Sequence, residues 1–487
     1  MNRQINRIAV VGLVLLAALI LGTTYWQAWA ASGLANRQDN SIQRVAQFAV
    51  KRGKIYAADG RTVLADNVKR KVAGQTLYFR RYPQRGLAAH IVGYSTQVRS
   101  RAGLESSEND FLTGSNTNLS TVLDTTLNKL KGATVKGNDL HLTIRPGAQA
   151  IALKALGGQC GAAVAFEPNT GRLLVNVSSP TYDPNLIEDH YNLASRPKFG
   201  CSPLFNRAEA GLYIPGSAFK VVTAASALDS GTYTVDSRFY DHGFCTEYGK
   251  PVSNFADQSG PERFGSVNFT QALQHSINAV FCEIGKKLGP RKILDYAKRF
   301  GFYSIPPLET PVNERAASGL YNKGKLFFPK NDFQVDPGRL AFGQERLGVT
   351  PLQMGMVAAT IANGGLVMRP YVVERVVAPD GSTVVKTKPD SLGRAINTNT
   401  ASDLAGMMEQ VVRGGTGTAA QIPNIRVAGK TGTAETGANH VNTTWFICFA
   451  PVDNPRVAVA VVLEHQHGTG GTTAAPIAKA IMEALIR

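Results

Sequence analysis

The stretch Tyr213-Ile214-Pro215-Gly216-Ser217-Ala218-Phe219-Lys220 combines a turn signal with the start of a helix. Pro215-Gly216 predicts a turn, and Ser217 opens a run in which apolar residues recur at helical spacing. Ser217 and Lys220 are three residues apart at the helix start, so they lie on one face and can touch. A lysine desolvated beside a serine can take the hydroxyl proton, because burial lowers the pKa of an ammonium. Taken alone, the pattern also fits an ordinary surface helix.

Two further polar motifs follow this serine in chain order. The first, His275-Ser276-Ile277-Asn278, offers a hydroxyl for a proton relay at Ser276 and an amide at Asn278 that can hold a substrate carbonyl or the lysine. The second, Lys430-Thr431-Gly432-Thr433, offers an ammonium and two hydroxyls that can grip a carboxylate. Its glycine lets a substrate backbone approach closely. Together, the three motifs predict a serine acyl-transfer site.

Two shorter patterns suggest other chemistry but lack the context it requires. Gly429-Lys430-Thr431 ends like a phosphate-binding loop, yet Asn424 occupies the position of the earlier glycine and no strand–loop–helix pattern surrounds it. Glu464-His465-Gln466-His467 has metal-ligand residue types, but no carboxylate or cysteine partner is spaced for a site. We therefore expect neither a phosphate cradle nor a metal site.

Composition indicates a globular chain with an anionic environment. The 487 residues suggest two or three domains, and 44% hydrophobic with 18% charged residues excludes a disordered chain. The formal charge of +17 suits a phospholipid surface or an acidic wall polymer. The basic residues are scattered and accompany no nucleic-acid motif, so nucleic acid is not expected as a partner.

The N-terminus predicts a membrane anchor. Residues 8–22 are almost wholly apolar, they follow Arg3 and Arg7, and Tyr25, Trp26 and Trp29 come after them, so the segment from Ile8 to about Trp29 is long enough to span a bilayer. This pattern predicts a transmembrane helix with the N-terminus in the cytoplasm and the rest of the chain outside. Ala28-Trp29-Ala30 resembles a cleavage site, so a secretory signal remains the alternative.

Changes in composition and in hydrophobic pattern divide the chain into residues 1–30 (cytoplasmic tip and anchor), 31–145 (non-catalytic pedestal) and 146–487 (catalytic domain). The pedestal is polar with short β-like runs, and a linker helix is predicted at residues 38–48. From residue 140 onward, strands alternate with helices. The patterns predict paired strands at residues 160–166 with 172–177, paired strands at 445–450 with 457–463, and a last helix at Ala474–Ile486.

The cysteine count is odd, which leaves at least one of the five thiols unpaired within the chain. The residues are Cys160, Cys201, Cys245, Cys282 and Cys448, with no zinc-site spacing. Export would allow one or two disulfides, of which Cys245–Cys282 is the favoured pair. Five free thiols remain the alternative.

The order S-x-x-K, S-x-N, K-T-G is the signature of penicillin-binding proteins and serine β-lactamases. The chain resembles the class B, monofunctional penicillin-binding proteins, especially the PbpA-like members of actinobacteria. Ala89-His90-Ile91-Val92-Gly93-Tyr94 and Tyr182-Asp183-Pro184-Asn185 are similar to further segments of that family, so the resemblance covers nearly the whole chain. The family's R-G-x-I-x-D-R start appears here as Arg52-Gly53-Lys54-Ile55-Tyr56-Ala57-Ala58, without its acidic–basic pair, which leaves the packing of the pedestal open.

The resemblance implies a mixed α/β (α+β) transpeptidase domain with an antiparallel five-stranded sheet between helices, an elongated β-rich pedestal and one transmembrane helix. It implies a D,D-transpeptidase that cross-links peptidoglycan stem peptides ending in D-Ala-D-Ala. Ser217 would attack, Lys220 would accept its proton, and Ser276 would relay the proton. Asn278 would hold the substrate and Lys220, while Lys430, Thr431 and Thr433 would bind the terminal carboxylate. The N–H groups of Ser217 and Thr433 would form the oxyanion hole.

The same resemblance implies β-lactam inhibition, no metal or organic cofactor, and residence in the cell membrane with the catalytic domain outside. It also implies contact with a lipid II polymerase of the shape, elongation, division and sporulation family. Three alternatives stay open: a D,D-carboxypeptidase or endopeptidase, a catalytically silent β-lactam-binding scaffold or sensor, and a β-lactamase. In the last, Glu309 of Glu309-Thr310-Pro311-Val312-Asn313 would be the dedicated base, although its proline-rich loop disfavours that role.

Overall fold

The structure is a computed structural model that describes residues 2–26, 48–72, 74–115, 136–257, 260–436 and 441–486. The linker helix predicted at residues 38–48 lies almost wholly outside these ranges, as does Ala28-Trp29-Ala30. Among the described residues, no helix is both long enough and apolar enough to cross a membrane.

The described strands are β1 (Ile55–Tyr56), β2 (Val63–Val72), β3 (Gln75–Arg81), β4 (Asp139–Leu142), β5 (Gly161–Phe166), β6 (Leu173–Ser179), β7 (Arg238–Asp241), β8 (Phe244–Glu247), β9 (Lys250–Ser253), β10 (Ala256–Asp257), β11 (Gly260–Pro261), β12 (Gly265–Asn268), β13 (Gly319–Asn322), β14 (Lys325–Leu326), β15 (Leu347–Gly348), β16 (Leu366–Met368), β17 (Val373–Val377), β18 (Thr383–Lys386), β19 (Ser391–Arg394), β20 (Ala428–Thr436), β21 (Val441–Ala450) and β22 (Val457–Gln466).

The described α-helices are α1 (Asn2–Thr24), α2 (Ala89–Val92), α3 (Leu104–Ser107), α4 (Asn109–Thr113), α5 (Pro146–Leu156), α6 (Tyr191–Ser195), α7 (Lys220–Asp229), α8 (Phe269–Gln274), α9 (Asn278–Leu288), α10 (Pro290–Arg299), α11 (Pro337–Ala341), α12 (Pro351–Ala362), α13 (Thr398–Gly414) and α14 (Ala474–Ile486). Short 3-10 helices lie at Arg85–Ala88, Pro184–Leu186, Gly216–Phe219, Val312–Glu314, Asp332–Gln334 and Thr418–Ala420.

The catalytic part is built on an antiparallel sheet of five strands in the order β20-β21-β22-β5-β6, as predicted. Successive side chains of a strand point to opposite faces. Ala163 and Ala165 of β5 therefore pack with α5 and α14, whereas Val164 and Phe166 face α12. Both faces are covered, so β5 is buried along its whole length. The predicted strand pairs and the helix Ala474–Ile486 are confirmed.

A second sheet of six strands has the order β18-β17-β4-β1-β2-β3. Leu140 of β4 lies between Ile55 of β1, to which it is parallel, and Val376 of β17, to which it is antiparallel. The sheet thus takes strands from both sides of the domain boundary predicted at residue 145. Segment 373–386 follows the serine in sequence, yet it extends the sheet of the N-terminal part.

A buried ionic cluster fixes the segment in which the family's acidic–basic pair is missing. Arg52 Nη2 lies 2.8 Å from Glu105 Oε2, and Arg80 Nε lies 2.5 Å from Glu105 Oε1. Arg52 Nη1 also donates to Asn109 Oδ1 at 2.8 Å. The glutamate thus pairs with two guanidinium groups at once and gives the pedestal a buried polar core, in which Arg80 Nη2 has no hydrogen-bond partner among the described residues.

The cysteines form two disulfides, Cys160–Cys201 and Cys245–Cys282, and leave Cys448 as a buried free thiol. The pair favoured from sequence is confirmed, and the alternative of five free thiols is wrong. Cys282 lies on α9, four residues after Asn278, and Cys245 lies on β8. This disulfide therefore ties the β8–β9 hairpin to the helix that carries the second motif.

Candidate active site

The serine lies on the 3-10 turn Gly216–Phe219, which runs directly into α7. Gly216 adopts φ +50°, and a Cβ there would lie 2.7 Å from Thr433 O. Only glycine fits such a conformation and such a close approach without strain. The turn therefore brings half-buried Ser217 against β20, while Lys220 begins the helix in the fully buried interior.

Lys220 points towards the second motif. Its Nζ donates to Ser276 O at 2.6 Å and to Asn278 Oδ1 at 2.8 Å, and it lies 3.3 Å from Ser276 Oγ. Within the described residues it makes no hydrogen bond to Ser217 Oγ. Burial, and then the charge of Lys430, lower the pKa of Lys220 well below its usual value. The side chain is therefore poised to be a neutral base.

The second motif lies between α8 and α9. Ser276 has φ +59°, a conformation that is sparsely populated by residues with a side chain. Asn278 is the first residue of α9, and its Nδ2 donates to Ser253 O at 3.1 Å on the neighbouring hairpin. The tight connection thus presents the hydroxyl of Ser276 and the amide of Asn278 to the same lysine.

The third motif forms the edge strand β20, so Lys430 and its neighbours are not part of a phosphate-binding loop. Lys430 Nζ donates to Ser276 Oγ at 2.9 Å and to Thr431 O at 3.0 Å. Burial lowers the pKa of Lys430 to about 7. Ser276 Oγ therefore lies between two buried lysines, an arrangement suited to passing a proton.

The serine turn and β20 are held together by a close backbone contact. A Cβ at Gly432 would lie 2.6 Å from Pro215 O, and Trp445 Nε1 donates to Ile214 O at 3.0 Å. An edge strand leaves alternate backbone N–H and C=O groups unpaired on its open side. This side of β20 faces the serine, where a substrate backbone or an oxyanion can use those groups.

Residues from all three motifs line a cavity of about 600 Å³. Of the predicted site residues, Ser217, Ser276, Asn278, Thr431 and Thr433 lie on its wall, whereas Lys220 and Lys430 approach from behind through Ser276. Sequence reasoning missed several lining residues, namely Pro251, Val252, Ser253, Asn254, Phe255, Glu262, Phe264, Arg339, Phe342, Gln344, Thr416, Asn442, Thr469 and Gly471.

Thr416 and Asn254 show why these residues were missed. Thr416 Oγ1 lies 2.6 Å from Thr431 Oγ1, but its glycine-rich surroundings predict only a turn. Asn254 Oδ1 accepts from Ala279 N at 2.9 Å and so braces the start of α9. Neither residue has a motif that could signal it, because each reaches the cavity only through folding.

Glu309 and His465, which suggested other chemistry, do not line this cavity. Glu309 is half-buried and does not line the cavity, and its carboxylate accepts from Val372 N at 2.8 Å, so it is not available as a β-lactamase base at Ser217. Contrary to the sequence argument, His465 does have cysteine neighbours, since folding brings Cys160 and Cys201 within 4.8 Å of it. Their sulfurs are joined in a disulfide, which removes the thiolates that a metal would require.

A serine at an edge strand, two buried lysines and a bridging hydroxyl define a serine acyl-transfer enzyme. Comparison with known proteins specifies the family. The profile of the penicillin binding protein transpeptidase domain matches residues 161–483, and that of the penicillin binding protein A dimerisation domain matches residues 52–140. The chain belongs to the penicillin-binding protein family, within its class B D,D-transpeptidases, which confirms the predicted family.

Individual relatives are similar over most or all of the chain. The peptidoglycan D,D-transpeptidase PbpA of Mycolicibacterium smegmatis is 34% identical, covering 100% of this chain and 99% of its own. The ceftriaxone acyl-enzyme structure of penicillin-binding protein A from M. tuberculosis aligns with a TM-score of 0.81 and 31% identity, covering 91% of this chain and 100% of its own. The peptidoglycan D,D-transpeptidase MrdA of Acinetobacter baumannii is 29% identical over 85% of this chain and 68% of its own.

Proposed function

We propose that this protein cross-links peptidoglycan by D,D-transpeptidation through an acyl-enzyme on Ser217. The observation that carries the proposal is the placement of Ser276 Oγ between Lys220 and Lys430, in the cavity wall beside the serine. Family membership supports the same reaction.

The hydrogen bonds of Lys220 support its role as the general base. A neutral amine has two N–H groups and one lone pair, and the contacts to Ser276 O and Asn278 Oδ1 use both donors. The lone pair remains to accept the proton of Ser217 as Oγ attacks the carbonyl of the penultimate D-alanine. Ser276 then passes its proton to the nitrogen of the departing D-alanine and receives the proton held by Lys220, whose Nζ lies 3.3 Å from Ser276 Oγ, as the peptide C–N bond breaks.

The edge strand β20 supplies groups that stabilise the negative charges of the substrate and of the transition state. In this proposal the backbone N–H groups of Ser217 and Thr433 stabilise the tetrahedral oxyanion, where the loss of one donor typically raises the barrier by roughly 3 kcal/mol. Lys430, with the hydroxyls of Thr431 and Thr433, binds the terminal carboxylate. Gly470 N donates to Thr433 Oγ1 at 3.2 Å, which orients that hydroxyl.

In the second half-reaction an amine of another stem peptide attacks the ester carbonyl. The amine loses its proton through the same Lys220 and Ser276, and Ser217 leaves with a proton restored. A β-lactam mimics the donor peptide and acylates the same serine of this chain. Penicillin-binding protein A from M. tuberculosis, the structural relative described above, forms such an acyl-enzyme complex with ceftriaxone.

The test is labelling of the purified protein with fluorescent penicillin. We expect a label that persists for hours on the wild type and on Ser230→Ala, a serine at the end of α7, but no label on Ser217→Ala. A label that turns over within seconds would replace the transpeptidase with a β-lactamase. Absence of label from the wild type would leave a non-catalytic scaffold. A D,D-carboxypeptidase would release D-alanine from stem peptides without forming cross-links.

We also propose that the N-terminal segment attaches the protein to the cytoplasmic membrane, with the catalytic part outside. The apolar residues 8–22 after Arg3 and Arg7 support this, as do the exposed aliphatic side chains of α1, such as Leu13 and Leu21. Protease added to intact spheroplasts should digest the catalytic part. Protection from protease would contradict the orientation.

The lipid II polymerase partner is a further proposal that rests on family membership. A polymerase that supplies uncross-linked strands would need to lie close to the N-terminal part of this membrane-attached enzyme. Site-specific photocrosslinkers in residues 8–22 and on the pedestal should capture it. Capture from the catalytic surface alone would place the contact elsewhere.

A further inference from the structure

Exposed aromatic rings lie on the surface beside the active-site cavity. They are Tyr240, His242, Phe244 and Phe255, hereafter the aromatic patch. Tyr240 is 67% exposed, Phe255 59% and Phe244 49%. The Tyr240 and His242 rings are 4.7 Å apart. Large apolar groups gathered on a surface mark an interaction site more often than scattered ones do.

The strand pattern of the β8–β9 hairpin turns Phe244 outward. Cys245 and Glu247 of β8 are buried, whereas Phe244 and Thr246 are exposed, so one face of the hairpin packs on the protein and the other faces solvent. The buried face includes the Cys245–Cys282 disulfide to α9. Phe244 is therefore carried on an anchored element.

A polar network couples the patch to the catalytic motif. Asp241, buried next to Tyr240 and His242, accepts from Asn254 Nδ2 at 2.9 Å, from Phe264 N at 2.9 Å and from Gly243 N at 3.0 Å. Asn254 in turn accepts from Ala279 N, beside the catalytic Asn278. The rings are therefore held in a fixed relation to the cavity.

The patch is continuous with the cavity. Pro251 and Ser253 line the active-site cavity and also a second cavity of about 160 Å³, whose wall includes His242, Phe244 and Arg263. Phe244 is the cross-strand partner of Ser253, and such partners have Cα atoms about 5 Å apart. A ligand leaving the active site along the hairpin therefore meets the aromatic patch at once.

We propose that the aromatic patch binds the glycan strand to which the donor stem peptide is attached. This inference rests on the proposed function. Four residues separate the scissile carbonyl of a stem peptide from its sugar, which is about 14 Å in extended form at roughly 3.5 Å per residue. Sugars place C–H faces on aromatic rings and offer hydroxyl and amide groups to polar neighbours, here Ser253, His242 and Arg263.

The shared wall of the two cavities favours a sugar over a protein partner. A donor stem peptide that enters the active-site cavity carries its glycan with it, so a sugar is brought to this surface whenever the proposed reaction occurs. Aromatic rings and arginine are also enriched in protein–protein interfaces, so a partner protein becomes an outcome of the test.

The experiment compares substrates with and without glycan on the full-length protein. Phe244→Ser and Tyr240→Ser are measured for acylation by benzylpenicillin, for turnover of a free pentapeptide and for cross-linking of uncross-linked glycan strands bearing the same pentapeptide. Phe333→Ser is the matched control, because Phe333 is 93% exposed and lines neither cavity. Glycan chains stripped of peptide serve as the competitor.

We expect cross-linking of glycan-borne donors to fall about fivefold for each patch variant, the size typical for loss of one ring contact. Penicillin acylation and free-peptide turnover should stay within about twofold of the wild type, and stripped glycan should inhibit only the glycan-borne reaction. The proposal would be overturned if the patch variants lost free-peptide turnover as strongly as cross-linking, or if their cross-linking of glycan-borne donors were unchanged. A loss of cross-linking seen only when a polymerase is added would also overturn it, in favour of a protein partner. A wild type that neither labels nor cross-links would instead reject the proposed function.

Discussion

In the proposed reaction the two lysines of the site have different roles, although burial lowers the pKa of both. Lys220 has to be neutral to take a proton from Ser217, and a pKa well below the usual value permits this. Lys430 has to carry a charge to attract a carboxylate, and it does so below about pH 7. One buried environment therefore supports the two roles only over a limited pH range.

The first prediction concerns the charge of Lys430. An ammonium is lost as pH rises through its pKa, so the second-order rate of acylation by benzylpenicillin should fall above about pH 7. In Lys430→Arg the guanidinium stays protonated, and the alkaline fall should disappear. The pH profile of acylation of both proteins checks this. Thermal melting serves as the folding control. An unchanged alkaline fall in a folded Lys430→Arg would assign it to another group.

At the scale of elements, catalysis depends on how closely the serine turn, the α8–α9 connection and β20 approach one another. Two of these contacts are made by backbone at glycines, where no side chain could fit. The β8–β9 hairpin adds a brace from outside, through Ser253 O to Asn278 and through the disulfide to Cys282. The positions of the reacting groups are therefore a property of packed elements.

The second prediction concerns the contact at Gly432. A methyl group in Gly432→Ala would lie 2.6 Å from Pro215 O and must push β20 away from the serine turn. Because misplacement by about 1 Å can reduce rates about 100-fold, we expect penicillin acylation to fall at least tenfold. Gly406→Ala on α13, where the added atom would meet nothing within 4 Å, is the control. Similar acylation rates in the two variants would show that the contact is not rate-determining.

The third prediction concerns the two disulfides, which close loops of similar length. Their sequence separations are 37 and 41 residues, so removing either should lower the free energy of unfolding by about 3–4 kcal/mol in the chain-entropy model. The paired Cys→Ser change at Cys245 and Cys282 should in addition slow acylation several-fold, because it frees the hairpin that braces Asn278. The Cys160/Cys201 change should leave acylation unaffected. Urea unfolding measures the loss of stability, and stopped-flow kinetics measure the acylation rate. Equal acylation rates in the two double variants would show that the hairpin does not position Asn278 for catalysis.

At the scale of the whole molecule, the N-terminal and catalytic parts share structure. The six-stranded sheet combines strands from both, and Glu314 accepts from Gly103 N at 3.1 Å across the same boundary. His90 of α2 contacts Pro203 O at 2.8 Å and packs edge-on against Tyr182 at 5.2 Å. The pedestal is therefore part of one packed body with the catalytic region.

The fourth prediction follows from His90. Burial lowers its pKa from 6.5 to about 4, so the folded state resists protonation that the unfolded state accepts. The stability it contributes is fully present above about pH 6.5 and is lost as pH falls towards 4, by up to about 3 kcal/mol. Relative to the wild type, His90→Gln should therefore gain stability on going from pH 7.5 to pH 4, as measured by urea unfolding at both pH values. No change in the difference between the two proteins would mean that His90 does not couple folding to pH.

The sequence by itself determined the family, the catalytic residue types and the central sheet. Ser217, Ser276 and Lys430 stand in motifs whose order is informative, and strands such as β5 and β22 are apolar enough to be recognised from local pattern alone. These features are local, so neighbouring residues suffice to signal them.

Only the tertiary structure decided how those parts meet. It placed Ser276 Oγ between the two lysines, brought Thr416 and Asn254 to the cavity, and moved segment 373–386 into the pedestal sheet. It also gathered His465 beside Cys160 and Cys201, and built the aromatic patch from β7, β8 and the segment after β9. Most of these contacts join residues that belong to different elements of the chain, and the free energy that selects them comes from burial and backbone pairing across the whole fold.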